Sequence, residues 1–230
     1  MTLHHLIVNY LEPVGYLVYV LAVIIFAKRH NRPGTGLLHV YFSLAFFLML
    51  VGSILVGLEY YETVWLYHIH AFCTLWFLGL YYRSQFKTAL KKNTATIIIL
   101  AGTLYLGYKH LVLQEFALFD SIAYSIVSAS LVIYALMYFH QLLSNVTEED
   151  IFRDFNFWLT SSFLIYFLGN FIIFLTYHYF TVKILATYTQ EERDLLTNLW
   201  GLHNCLLFTG AVTLLLGSVW ISYRKRSVLS

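Results

Sequence analysis

Three short stretches place ionisable side chains inside apolar surroundings. "NYLEPVGY" sets Glu12 before Pro13, "WLYHIHAFC" carries His68 and His70, and "NLWGLHNCLL" places His203 beside Asn204. Imidazole titrates near neutrality, and imidazole and carboxylate groups both ligate metals or exchange protons with a ligand. Metal ligation is the least supported by spacing. His68 and His70 are two residues apart and project from opposite sides of a helix, and neither a His-x-x-x-His face nor a cysteine pair occurs. A site shared by His70 and His203 on different helices is the remaining metal or haem arrangement. Interhelical hydrogen bonding alone, or a cavity that senses a ligand or protons, are the competing roles for the same residues. No cofactor is expected. Cys73 and Cys205 both fall in apolar runs and read as small buried hydrophobes.

The elements that must position these groups follow from composition. The 230 residues are 60% hydrophobic and only 11% charged, with a mean hydropathy of +0.69. A soluble domain carries about 25% charged residues, so lipid must replace water over most of the exterior. Crossing about 30 Å of hydrocarbon takes about 20 helical residues. Seven segments qualify, some only loosely, at 6–27, 37–58, 63–82, 94–108, 119–143, 156–180 and 197–223, the fourth being counted because dropping it breaks the alternation of basic loops. The fourth, "TATIIILAGTLYLGY", is the shortest. No period-two alternation recurs, which argues against a membrane barrel. The expectation is an all-α polytopic membrane protein, a single bundle of seven transmembrane helices. The first span reads as retained rather than as a cleaved signal.

Basic residues mark the cytoplasmic side. With the N-terminus outside and the C-terminus in the cytoplasm, eleven of fourteen Lys and Arg fall inside, leaving Lys109, Lys183 and Arg193 outside. The predicted location is therefore the plasma (inner) membrane. The positive charges form no single face or tail, so nucleic acid is not an expected partner. With this orientation, seven of ten histidines and eight of twelve acidic residues lie in the outer half or outer loops. An ionisable group at mid-bilayer costs roughly 2.5–3.5 kcal/mol on insertion scales, less near the edge. Glu12, His70, His203 and Asn204 are therefore expected to face the bundle interior and line an outward-opening polar cavity, with Glu59 and His68 at its rim and Asn170 deeper. His178, between Tyr177 and Tyr179, reads as part of an aromatic belt. Ser121, Ser125 and Ser128 share one face of the fifth helix, and Gly201, Cys205 and Thr209 form a small-residue stripe on the seventh.

On the cytoplasmic side, "SNVTEEDIFRDFNFW" combines capping residues with Glu148, Glu149 and Asp150, which suit the positive end of a helix. These acids are also a candidate docking surface for a partner. The basic stretches "RSQFKTALKKN" and "YRKR" suit anionic lipid headgroups. The last span has no Lys, which excludes a retinal Schiff base of the microbial rhodopsin type, and no phosphate loop or nucleophile elbow is present.

The short loops, the aromatic sixth span "FNFWLTSSFLIYFLGNFIIF" and the "LWGLHN" element of the seventh resemble the small seven-helix membrane modules of bacterial signalling, the kind fused to or encoded beside histidine kinases. That resemblance implies a non-enzymatic sensor or receptor-like module. Since only seven residues follow Tyr223, it would act through a separate cytoplasmic or membrane signalling partner. A transporter or proton pathway, a haem or metal protein, and a structural subunit are the alternatives.

Overall fold

A computed structural model describes residues 3–27, 34–60, 63–109, 119–144, 151–184 and 189–224. These fold into seven helical rods with no strand among them: α1 (Leu3–Ala27), α2 (Thr35–Gly57), α3 (Val64–Gln85), α4 (Ala89–Gly107), α5 (Ser121–Leu143), α6 (Phe155–Ile184) and α7 (Gln190–Arg224). All seven expected spans are helical. Six are long and apolar enough to cross a membrane; α4, opened by Lys91 and Lys92, is the other. The candidate docking acids Glu148, Glu149 and Asp150 lie outside the described residues.

The helix ends follow local chemistry. Thr88 and Asp120 cap α4 and α5 by accepting from the Lys91 and Ala123 amides. α2 ends in a Schellman turn: Glu59 takes a left-handed backbone (φ 63°), its amide bonding Val56 and that of Tyr60 bonding Leu55. Gly34 precedes α2 with φ 88°, where a Cβ would lie 3.1 Å from the side chains of Tyr81, Ser84 and Gln85. A Lys109–Asp120 ion pair of 3.3 Å joins the end of α4 to the start of α5.

The bundle buries tyrosines and polar side chains and exposes large apolar ones. Phe47, Ile97, Leu104, Ile172 and Leu216 are well exposed, whereas Tyr16, Tyr19, Tyr41, Tyr81, Tyr82 and Tyr134 are buried. A water-soluble fold would reverse this. Here lipid solvates the aliphatic side chains, and phenol hydroxyls find partners only between helices. α1 packs along α7 and against α2, α6 lies between α5 and α7, and α3 touches α2, α4 and α5. Close approach depends on small residues. A Cβ at Gly210 would stand 2.6 Å from the Tyr19 hydroxyl, and one at Gly169 2.4 Å from Leu206.

One end of the bundle is tied by amides. Tyr81 donates to Asn156 at 2.5 Å, Asn156 donates to the Gln85 side chain at 2.9 Å, and Gln141 donates to the Gln85 carbonyl at 3.1 Å while accepting from the Lys87 amide at 2.8 Å. Phe26 stacks on Phe155 at 3.8 Å between the end of α1 and the start of α6. The other end holds Glu12, His70 and His203.

Candidate functional site

Side-chain spacing places the site. On α1, Glu12, Tyr16 and Tyr19 recur at i, i+4 and i+7. On α3, Tyr67, His70 and Thr74 recur at i, i+3 and i+7, and on α6 Tyr166 and Asn170 are four apart. Each set shares a helix face, and the faces converge. Glu12, Asn170, His203 and Asn204 are at most 6% exposed, and His70 is 3% exposed. None of them points at lipid.

The first half of the site is a carboxylate–imidazole pair. Glu12 Oε1 lies 3.8 Å from His203 Nε2, and Tyr67 donates its hydroxyl to Glu12 Oε2 at 3.2 Å. His203 Nδ1 is 2.8 Å from Asn170 Oδ1, an acceptor, so Nδ1 carries a hydrogen. Nε2 is then the nitrogen that faces Glu12. Tyr166, Phe174 and Trp200 surround the imidazole, with ring centroids 5.1–5.6 Å away. Asn204 donates to the Ile7 carbonyl at 3.0 Å, fastening α7 to α1.

The second half centres on His70. Its Nδ1 is 3.0 Å from the Tyr124 hydroxyl, which itself donates to the Tyr67 carbonyl at 2.9 Å. Tyr124 has one hydrogen and has spent it, so His70 Nδ1–H is the donor. The Tyr16 hydroxyl, 2.8 Å from Nε2, then donates to it. His70 is thus a neutral imidazole with both nitrogens engaged. Thr74 donates to the His70 carbonyl at 2.8 Å and lies 3.1 Å from the Tyr41 hydroxyl. Thr74 opens a five-residue π-helical turn, Thr74–Leu78, inside α3. Such turns interrupt the regular backbone ladder and occur often at functional sites. Tyr67 bridges the halves, its hydroxyl on Glu12 and its carbonyl on Tyr124. The Tyr16 hydroxyl also reaches those of Tyr41 and Tyr166.

Of the residues singled out from sequence, Glu12, His70, Asn170, His203 and Asn204 therefore meet in one buried region. His68 is buried on α3, and Glu59 is exposed in the turn ending α2. Ser125 bonds back to the Ser121 carbonyl of its own helix. Among the described residues no three His, Cys, Asp or Glu side chains gather closely enough to hold a metal. The contributors that sequence reasoning misses are Tyr16, Tyr41, Tyr67, Tyr124 and Tyr166. Nineteen tyrosines in one chain suggest interface anchoring; the helical spacing from Glu12 and His70 is the signal that sets these apart. No known protein family, curated protein or solved structure matches the chain.

Proposed function

We propose that this protein is a membrane-embedded sensor module whose polar site, in the outer half of a seven-helix bundle of the plasma membrane, responds to protons and signals through a separate partner protein. The supporting observation is the wiring of Glu12, His203 and His70. Three titratable groups from α1, α3 and α7 are buried and are held by hydroxyl and amide hydrogen-bond partners. A further proton produces an imidazolium facing Tyr16 or Trp200, or a doubly protonated Glu12–His203 pair. Either adds positive charge to a buried region, and the helices must move to solvate it. In this orientation the N-terminus is outside. α3 links the site to the other end, since His70, the π-helical turn and Tyr81 with Gln85 lie on it in succession.

Trp200, beside His203, reports on this event. In a variant retaining Trp200 as the sole tryptophan, in lipid vesicles, fluorescence is expected to change between about pH 8 and pH 5, the range of imidazole titration. H203Q should remove the response and H70Q should shift or weaken it. A wild-type signal flat across this range, or one indifferent to both substitutions, refutes the assignment.

A proton pathway is the second reading, favoured by hydroxyl pairs that continue inward: Tyr19–Ser162 at 2.7 Å and Tyr82–Thr160 at 3.3 Å. Acidification of vesicles under an imposed potential separates it from sensing.

A further inference from the structure

Four half-buried rings lie between the site and the nearer end of the bundle: Tyr67 on α3, Phe119 just ahead of α5, Tyr177 on α6 and Trp200 on α7. Their positions follow from the helix register. α3 and α7 begin at this end, and α6 finishes there. Tyr67 precedes His70 by three residues, Trp200 precedes His203 by three, and Tyr177 follows Asn170 by seven. These rings therefore stand about 5–10 Å beyond the site along the helices. Phe119 is the centre of the layer. Its ring centroid is 5.9 Å from Tyr67, 5.7 Å from Tyr177 and 5.5 Å from Trp200, each edge to face. Below the layer it stacks on Tyr124 at 5.1 Å and meets Phe174 at 5.6 Å. Those two rings are at most 7% exposed and lie against the histidines: Tyr124 bonds His70, and Phe174 is 5.3 Å from His203.

We propose that Phe119 controls access to the site, its ring barring water and water-soluble solutes from His203 and His70. Of the four rings Phe119 alone projects from outside a helix, and the start of α5 fixes its backbone. The Phe119 carbonyl accepts the Ser121 amide at 3.1 Å, and Asp120 caps α5 and pairs with Lys109 at 3.3 Å. Without the ring, Tyr67, Tyr177 and Trp200 would surround a space one phenyl wide that opens on Tyr124 and Phe174. The hydrogen bonds beneath gain from the barrier, because they are stronger where water is excluded and the local dielectric is low. The role of Phe119 as the gate of a sensing site rests on the function proposed above; the barrier itself rests on ring geometry alone.

The test keeps Trp200 as the sole tryptophan of the full chain, reconstituted in lipid vesicles at one constant pH. It reads quenching by acrylamide, a neutral water-soluble quencher, present on both sides of the membrane. With Phe119 in place quenching is expected to be weak. F119A should raise it several-fold, and F119L, which refills most of the space, should return it towards the parent value. F174A removes the same ring from the layer beneath and should leave Trp200 protected, although it opens a cavity in the core. No rise in F119A would show that Phe119 bars nothing. A rise that F174A matches, or that F119L does not reverse, would mean general loosening of the bundle. A parent chain quenched as freely as tryptophan in water would mean that the layer is already open. Each of these overturns the proposal, and none depends on whether the site responds to protons.

Discussion

Glu12 and Asn170 both hold His203, and they are unequal to lose. Glu12 faces both the Tyr67 hydroxyl and His203 Nε2, and a buried polar group left unpaired costs about 1–3 kcal/mol, whereas an interhelical hydrogen bond in a membrane averages about 0.6 kcal/mol. E12A is therefore expected to lower the thermal midpoint in detergent far more than N170L, which removes only the acceptor for His203 Nδ1. E12Q should be intermediate, since the amide keeps the bond from Tyr67 but cannot share a proton with Nε2. A fluorescence-detected melting series ranks the three, and N170L as damaging as E12A would show that Glu12 contributes no more than a single hydrogen bond. The His70 wiring makes a second, directional prediction. Y16F leaves Nε2 without its donor, and Y124F leaves Nδ1–H without its acceptor. In ¹⁵N spectra of labelled histidine, Y124F should disturb the Nδ1–H tautomer and Y16F should leave it in place. The opposite pattern would reverse the assigned bond directions.

α7 and α3 carry the element-scale consequences. Gly210 makes room for the Tyr19–Ser162 bond, since its Cβ would lie 2.6 Å from the Tyr19 hydroxyl and 3.0 Å from the Ser162 carbonyl. G210A should destabilise by about 1–3 kcal/mol, the usual range for overpacking. Y19F in the same chain should recover part of that loss, because the clashing oxygen is gone. Melting of the single and double variants measures the coupling, and simple additivity would mean that the clash lies elsewhere. The π-helical turn of α3 holds one more residue than a regular ladder accommodates. Deleting Phe77 should restore regular helix while keeping His70 and Tyr81 in their bundle positions. The protein should still fold by circular dichroism, and the pH response at Trp200 should weaken if the turn transmits it. The periodic sets on α1, α3 and α6 are legible in the amino-acid sequence. The role of the tyrosines within them is not, because a tyrosine at a membrane interface and one between helices look alike until the partner helix is known.

For the whole molecule, the sidedness is the testable property. The amide-tied end carries Arg83, Lys87, Lys91 and Lys92, and the end holding the site carries Lys109 and Arg193. In a chain with Cys73 and Cys205 replaced by Ala, a cysteine at Lys92 should be shielded from an impermeant maleimide in whole cells. A cysteine at Gln190 should react. The reversed result would turn the site towards the cytoplasm and remove an external proton as its stimulus.

Sequence alone determined the helical class and marked out seven apolar segments that are all helical, six of them long and apolar enough to cross a membrane, because too few charges remain to cover a water-exposed surface and backbone groups in lipid must be satisfied within the helix. It also showed that Glu12, His70, Asn170, His203 and Asn204 had to turn inward, since each costs too much to leave against acyl chains. The tertiary structure alone decided which atoms they meet: His203 between Asn170 and Glu12, His70 between Tyr16 and Tyr124, and Tyr67 bridging the two halves. Those pairings join residues up to 191 positions apart, from Glu12 to His203. They depend on how helices rotate and slide against one another, which local periodicity does not encode.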